Sequence, residues 1–445
     1  MAPARIMEIS GGADPGLIPA SDARHENSWY NQDFDGYRIT EEVLFTKRHL
    51  RIICVGAGAA GLQIAYKAER ALENVDLQVY EKNADVGGTW LENRYPGCTC
   101  DIPSHSYQFT WARNPNWSSY YSTSPEIWQY FKDIAVKYDL EKYVQFNTTV
   151  ESATWDEETG HWNVKVLTPA GTHEDDWCDI LISGSGVLNS WKYPDIPGLD
   201  LFKGKLMHSA AWDSTYDLTG KTVAVIGGGS SAVQIIPSIQ PQVSKLVAFL
   251  RSPVWVTTGF GAKHAGPGGT NFEYSTEQIK HFNENPEEYV KYCRDIEGEL
   301  NKRFNLMHLN SNDQKNSREL IAGMMKTKIN NDKIAAKMIP DFALGCRRMT
   351  PGSGYLESLT KENVEVINES ATRLTSSGIV DESGVEHQVD VVICATGFDT
   401  TFTPHFKVTG RKGADIKEQF GDFPKGYLGI TARNFPNFFC MCSLA

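Results

Sequence analysis

Two glycine-rich turns, each between a predicted strand and a predicted helix, most constrain the fold of this chain. The first has the sequence GAGAAG at 56–61 and follows an apolar run at 51–55. The second has the sequence GGGSSA at 227–232 and follows an apolar run at 222–226. A turn of this kind links parallel strands through a helix and offers backbone N–H groups to a pyrophosphate. The pair therefore predicts an α/β fold with two dinucleotide-binding, Rossmann-like domains.

In the first turn, each glycine has a separate role. Gly56 permits the tight turn, Gly58 lets the backbone approach a pyrophosphate, and Gly61 lets the helix pack closely on the strand. Glu81 follows at the end of the next predicted strand, where its carboxylate can accept hydrogen bonds from a ribose diol. Because strand, helix and acid occur in this order, we predict a nucleotide site rather than a tight turn that binds nothing.

The second turn differs in its last position and in the residue that ends the next strand. An alanine replaces the third glycine, which is a permitted variant. Arg251 stands where an acid would hold a 2′-hydroxyl, and an arginine at this place either fits a 2′-phosphate or is a surface residue at a strand end. We predict NADPH as the ligand. The predicted contacts are Gly227, Gly229, Ser230, Ser231, Arg251 and Ser252.

Composition limits the partners of the chain. At 445 residues it predicts several domains, and its net charge of −12 argues against nucleic acid or an anionic membrane as the main partner. No apolar run approaches the roughly 20 residues that span a bilayer, and we find no secretory signal. Nine cysteines without zinc spacing predict reduced thiols and no metal, with Cys54 and Cys394 buried in strands. We expect a cytoplasmic protein.

The segment between the two turns carries a resemblance to a known family. Residues 202–213 read FKGKLMHSAAWD and fit the pattern F-x-G-x-x-x-H-[ST]-x-x-W-[PD]. That pattern is the signature of the Baeyer–Villiger monooxygenases, class B flavin enzymes that insert one oxygen atom beside a ketone carbonyl. The related N- and S-oxygenases usually end their signature with Tyr or Phe, so Trp212 favours the Baeyer–Villiger branch.

Further blocks extend the resemblance over about residues 25–440. The sequence of residues 97–103 looks most like that of family members from fungal secondary metabolism. GGTW at 87–90, which alone also fits a turn with a core Trp, resembles the second FAD-contacting loop of two-dinucleotide flavoproteins. The other blocks that resemble the family, in the same order, are NRYPGCTCD at 93–101, GCRR at 345–348 and ATGF at 395–398.

The resemblance implies two cofactors, FAD and NADPH, and two further reactants, O2 and a ketone. It implies that Arg348 stabilises developing negative charge in a dry site and that Asp101 pairs with it, while Arg347 joins Arg251 at the NADP phosphate. Alternatively, Arg347 and Arg348 are a solvated basic pair. The FAD contacts that it implies are Gly56, Gly58, Gly61, Glu81, Gly88, Thr89, Trp90, Asp101, Tyr107, Thr396 and Gly397.

The domain organisation follows from the same motifs. The family places His208 and Trp212 away from the flavin, in a linker that couples NADP to domain movement, so we do not interpret His208 as a general base. The predicted segments are an N-terminal arm (1–48), the FAD-binding domain in two parts (49–185 and 391–445), the NADP-binding domain in two parts (186–258 and 341–390), and a helical insertion that covers a site (259–340).

Two alternatives to a ketone-oxidising enzyme stay open. An N- or S-oxygenating flavin enzyme of similar fold is the first. The second is a protein that binds nucleotide but is catalytically impaired. The family usually continues with a Gly-Pro loop against the flavin after the motif at 434–438, and this sequence has no such loop. The expectation from that difference is a flavin pocket that is partly open to water.

Overall fold

The structure, a computed structural model, describes residue 43 and residues 45–441. The chain divides into two units, Met1–Arg48 and His49–Ala445, and every element below belongs to the second. The predicted N-terminal arm lies almost wholly outside the described residues, as does Cys442. In the described part of the chain, no helix has the length and apolar character needed to cross a membrane.

A five-stranded parallel sheet forms the first half of the second unit. Its strands are β1 (Leu50–Val55), β2 (Val75–Tyr80), β3 (Val144–Gln145), β7 (Ile180–Ser183) and β19 (Phe438–Cys440), and its helices are α1 (Ala59–Ala71), α2 (Thr89–Glu92) and α3 (Ser124–Lys137). The strand order is β19-β7-β1-β2-β3. From Ile52 to Val55, strand β1 is apolar because side chains on both faces of a parallel sheet are covered. Ile53 and Cys54 are fully buried there.

A second parallel sheet, also of five strands, forms the other half. Its elements are β8 (Lys205–His208), β9 (Thr222–Ile226), α4 (Ser230–Ile239), β10 (Lys245–Phe249), α9 (Tyr355–Ser358), β13 (Val364–Ile367) and β17 (Val391–Cys394). The order is β13-β10-β9-β17-β8. Strand β17 pairs with β8 and β9, so the predicted boundary at 390/391 is wrong. The return to the first sheet begins after this apolar strand, which the second sheet buries.

Smaller sheets flank the two halves. Their strands are β4 (Thr149–Asp156), β5 (His161–Leu167), β6 (His173–Cys178) and β18 (Lys407–Thr409) in one sheet, β14 (Ala371–Leu374), β15 (Gly378–Asp381) and β16 (Glu386–Gln388) in another, and the pair β11 (Val256–Thr257) and β12 (Thr350–Pro351). Strands β4 and β5 pair antiparallel around the turn at Gly160.

The segment predicted as a helical insertion is helical but packs in two places. Its helices are α5 (Thr276–Glu284), α6 (Pro286–Asn301), α7 (Asn312–Ile329) and α8 (Asp332–Met338); the remaining helix of the fold is α10 (Ile416–Phe420). Phe282 of α5 and Tyr289 of α6 pack in an aromatic cluster with Tyr120 of the first half. Met325 of α7 and Met338 of α8 join the core of the second sheet. The insertion therefore bridges the two halves instead of forming one separate layer.

Candidate active site

A cavity of about 290 Å³ lies where β1 and β2 end. Parallel α/β sheets bind ligands at this edge, outside the carboxyl ends of the strands. The predicted FAD contacts in its wall are Gly56, Gly58, Glu81, Gly88, Thr89, Trp90 and Tyr107. Gly61, Asp101, Thr396 and Gly397 lie outside this wall. The structure therefore gathers seven of the eleven predicted residues around one space.

The glycines of the wall fit a cofactor that must approach the backbone. Gly56 has a φ of +103°, a conformation that side chains rarely adopt. A Cβ on Gly88 would lie 3.1 Å from the Cα of Gly58, so the two loops touch through bare backbone. Gly61 acts differently, because a Cβ there would overlap the carbonyl oxygen of Gly56. Its role is to pack α1 on the turn rather than to contact a ligand.

Glu81 is buried in the wall and is already hydrogen-bonded. Its Oε2 accepts the N–H of Ala57 at 2.7 Å, and its Oε1 accepts the backbone N–H and the side-chain amide of Asn83, both at 2.8 Å. Burial raises the pKa of the Glu81 carboxyl, and the backbone donors of Ala57 and Asn83 oppose that shift. The carboxylate therefore holds the two turns of the wall together and retains lone pairs for a ribose.

Sequence reasoning missed a second polar group in the same wall. Lys82 Nζ lies 2.8 Å from a carboxylate oxygen of Glu92 and 2.6 Å from the side-chain oxygen of Asn189. Glu92 also accepts the amide of Asn83 at 2.9 Å. All four residues line the cavity. They come from three separate segments, so no local sequence signal joins them.

Neither residue of the predicted catalytic pair lines this cavity. Trp90 Nε1 donates to the Tyr107 hydroxyl at 2.9 Å. Burial raises the pKa of Tyr107 to about 12; the charge of Asp101 adds a smaller rise, which the charge of Arg348 opposes. Arg348 Nη2 lies 2.6 Å from Asp101 Oδ2, so the predicted ion pair is present. Asp101 lines a second cavity, together with Thr99 and Gln234.

Arg348 is exposed in this structure, and the dry site that the resemblance implies for it stays a prediction. Its side chain is 67% exposed, against 23% for Asp101. The reason lies in the loop that carries it, because residues 345–348 are all exposed. The ion pair is therefore formed before any ligand covers the guanidinium.

The second glycine turn opens onto free space. Gly227 has a φ of +122°, and a Cβ there would overlap the carbonyl oxygen of Ala395. Gly229 immediately precedes α4, and a Cβ on it would meet nothing within 4 Å. The predicted contacts Ser230 and Ser231 form the first turn of α4. Unpaired N–H groups at a helix start favour a phosphate, so this geometry fits the nicotinamide dinucleotide.

The two arginines predicted at the NADP phosphate are both exposed. The Arg347 guanidinium lies 5.1 Å from the centre of the Phe342 ring, and no contact joins it to Arg251 among the described residues. Ser252 is close to the turn, since its carbonyl oxygen would lie 3.6 Å from a Cβ on Gly228. The shared phosphate site of the arginines therefore stays a prediction.

Thr396 contacts His208 rather than the FAD cavity. His208 Nδ1 accepts the N–H of Ala210 at 3.1 Å, which leaves Nε2 to donate to Thr396 Oγ1 at 3.2 Å. The ring stacks on Trp191 with centres 4.5 Å apart, and burial lowers the His208 pKa to about 4. His208 is therefore neutral near pH 7 and placed as a structural residue. Thr396 and Gly397 miss the cavity because β17, which precedes them, belongs to the second sheet.

Two of the described cysteines were expected to be buried thiols. Cys54 and Cys394 are buried as expected, and neither forms a disulfide. Burial raises the pKa of both thiols to about 12, which keeps them protonated. Among residues 43 and 45–441, no three His, Cys, Asp or Glu side chains group closely enough to hold a metal ion.

Comparison with known proteins assigns the chain to a family. The model of the flavin-binding monooxygenase-like family matches residues 49–409. The chain is 43% identical to the FAD-binding monooxygenase tazF of Aspergillus terreus over 89% of its own length and 71% of that protein. It is 34% identical to a Baeyer–Villiger monooxygenase of Streptomyces coelicolor over 88% of its length and 72% of that protein. Across these and other curated relatives that it matches, the chain spans 63% to 72% of the relative's length.

The similarity to a solved structure supports this family assignment. Cyclohexanone monooxygenase from Rhodococcus sp. Phi1 bound to NADP+ superposes with a TM-score of 0.74 at 27% identity, covering 89% of this chain and 80% of the other. The predicted two-domain α/β fold, the cofactors FAD and NADP, and the class of flavoprotein monooxygenase are confirmed. The chain belongs to the flavin-binding monooxygenase-like family.

Proposed function

We propose that this chain uses FAD and NADPH to insert one oxygen atom of O2 beside a ketone carbonyl, forming an ester or lactone. One observation carries the proposal: Arg348 and Asp101 form, at 2.6 Å, the ion pair that the resemblance implies. The similarity to a protein named Baeyer–Villiger monooxygenase supports it.

The residues of the first half bind and orient FAD in this proposal. Gly56 and Gly58 admit the pyrophosphate, Glu81 holds a ribose, and Gly88, Thr89 and Trp90 face the flavin end. Bound FAD supplies the electron-transfer and O2 chemistry, and NADPH supplies the hydride. In the second half, the turn at 227–231 takes the NADPH pyrophosphate, while Arg251, Ser252 and Arg347 take the 2′-phosphate.

Arg348 stabilises the negative charge that develops on oxygen as the carbonyl is attacked. Asp101 holds the guanidinium at 2.6 Å and so fixes the place of the positive charge. Charge stabilisation of this kind is strongest where water is excluded. We therefore propose that nucleotide and substrate cover the exposed guanidinium when both are bound.

The substrate class is the finer part of the proposal. We propose a ketone of polyketide or terpenoid type in secondary metabolism. The sequence of residues 97–103 and the similarity to fungal FAD-binding monooxygenases support this part of the proposal.

Arg348→Ala tests the reaction. We expect ester formation to fall by about 10²- to 10³-fold, the range for loss of one charge-stabilising group. Flavin reduction by NADPH should persist, and Arg373→Ala, which removes an exposed arginine from β14, should change neither step. Product formation and NADPH consumption are measured together by mass spectrometry and absorbance.

Two outcomes separate the alternatives. If Arg348→Ala keeps full oxidation of an amine or sulfide while no ketone is oxidised by the wild type, the N- or S-oxygenating alternative is correct. If the purified protein stays colourless after incubation with FAD, the impaired alternative is correct, because the first site then fails to hold its cofactor.

A further inference from the structure

Helix α4 contacts both loops that carry the catalytic pair. The first contact runs through Gln234, one turn inside the helix. Its Oε1 accepts the backbone N–H of Thr99 at 2.7 Å and the Thr99 hydroxyl at 3.2 Å. Its Nε2 donates to the carbonyl oxygen of Ser230 at 3.2 Å. One side chain therefore links the first turn of α4 to a loop of the first half.

Thr99 lies two residues before Asp101 on a loop that is held on both sides. The Cys100 N–H donates to the Ser122 carbonyl at 3.0 Å. Gly97 lies directly on α4, with a φ of +77° and no room for a Cβ beside Ser238. This short loop is therefore hydrogen-bonded both to α4 and to the first half, two residues or fewer from Asp101.

The second contact reaches the other partner of the pair. Ser230 Oγ lies 3.4 Å from Thr350 Oγ1, and Thr350 is two residues after Arg348. The loops of Asp101 and of Arg348 thus both converge on Ser230. Ser230 is also the first residue of the helix at which we place the NADPH pyrophosphate.

We propose that Gln234 is a positioning residue that couples nucleotide at the start of α4 to the Asp101–Arg348 pair. A shift of the first helical turn when nucleotide binds is passed through Gln234 to Thr99 and from there to Asp101. Coupling of this kind is reciprocal, so the state of the ion pair must also change the affinity for the nucleotide. This inference rests on the proposed NADPH site.

A double-mutant cycle tests the coupling in the FAD-loaded protein. The dissociation constant of NADP+ is measured by flavin absorbance for the wild type, Gln234→Met, Arg348→Ala and the double variant. We expect Gln234→Met to weaken NADP+ binding about fivefold in the wild type and less than about twofold in the Arg348→Ala background.

Two further variants separate positioning from general packing. Gln234→Glu keeps an acceptor for Thr99 but loses the donor to the Ser230 carbonyl, so it should weaken NADP+ binding at least as much as Gln234→Met. Gln240→Met, at the far end of α4 where the amide bonds Asn363 at 2.7 Å, should have no effect on NADP+ binding. Thermal unfolding of each holoprotein confirms that the variants fold.

Equal loss of affinity from Gln234→Met with and without Arg348 would overturn the inference, as would wild-type affinity in Gln234→Glu. This readout needs no ketone. A wild type that binds NADP+ but oxidises no ketone contradicts the proposed reaction alone, and the cycle remains a separate test.

Discussion

The two glycine turns share a backbone geometry. They differ in how far the polar side chains beside them are already buried and hydrogen-bonded. In the first, Glu81 is buried and three protein donors already hold its carboxylate. In the second, the expected phosphate ligands Arg251 and Arg347 are exposed. A preorganised site loses little entropy on binding, whereas flexible arginines must be ordered by the ligand. The difference indicates a tightly held FAD and a nicotinamide dinucleotide that enters and leaves.

The largest expected effect contrasts a glycine from each turn. Gly61→Ala places a Cβ against the Gly56 carbonyl, and we expect a loss of about 3 kcal/mol in the free energy of unfolding and little bound FAD. Gly229→Ala places its Cβ in open space at a φ of −82°, so stability should change by about 0.5 kcal/mol or less. Denaturant unfolding and FAD absorbance measure both. An FAD-replete Gly61→Ala protein would contradict the packing role.

Glu81→Gln is expected to have the next largest effect. The amide replaces one acceptor with a donor that faces the N–H of Ala57 or of Asn83, and the conflict should cost about 1 to 3 kcal/mol. FAD affinity should fall with stability. Glu174→Gln, an exposed change on β6, is the matched control. Titration of the apoprotein with FAD gives the result, and unchanged FAD affinity would argue against a preformed first site.

Arg251→Ala probes the open site. Because the side chain is exposed, stability should stay within about 0.5 kcal/mol of the wild type. The preference for NADPH over NADH should fall about tenfold, since one charge-assisted contact to the 2′-phosphate is lost. The ratio of kcat/KM for the two nucleotides is the measurement. An unchanged ratio in Arg251→Ala and in Arg347→Ala would place the phosphate elsewhere.

Each half also contains a buried histidine, which predicts a smaller, pH-dependent effect. Burial lowers the pKa of His105 in the first half to about 3 and that of His208 in the second to about 4. Both lie below the usual 6.5, so the folded protein binds fewer protons than the unfolded chain. The free energy of unfolding should be flat above about pH 6.5 and fall below it, by about 1 kcal/mol per histidine at pH 5.5.

The variant His208→Gln isolates one contribution. Its stability loss between pH 7.5 and 5.5 should be smaller than that of the wild type by about 1 kcal/mol. Urea unfolding at the two pH values measures it. An identical loss in both proteins would show that His208 does not titrate on unfolding.

Local sequence patterns predicted the features that depend on a few consecutive residues, such as the glycine turns and the position of Glu81. The turns at Gly56 and Gly227 were predictable because a tight strand-to-helix turn needs a positive φ. Glu81 was predictable because its distance along the chain is set by one helix and one strand. The Lys82–Glu92–Asn189 group was not, since its members meet only when separate segments fold together. The strand at 391–394 was assigned to the wrong sheet because an apolar run does not reveal its neighbours.

The sequence by itself determined two dinucleotide-binding turns and their order, because each turn is a short motif whose backbone geometry admits few residues. The resemblance to a known family implied the Asp101–Arg348 pair. Only the tertiary structure decided that Arg348 is exposed and that Gln234 and Thr350 bring both loops to the start of α4. Burial and long-range contacts depend on the packing of distant segments, and no local pattern contains that packing.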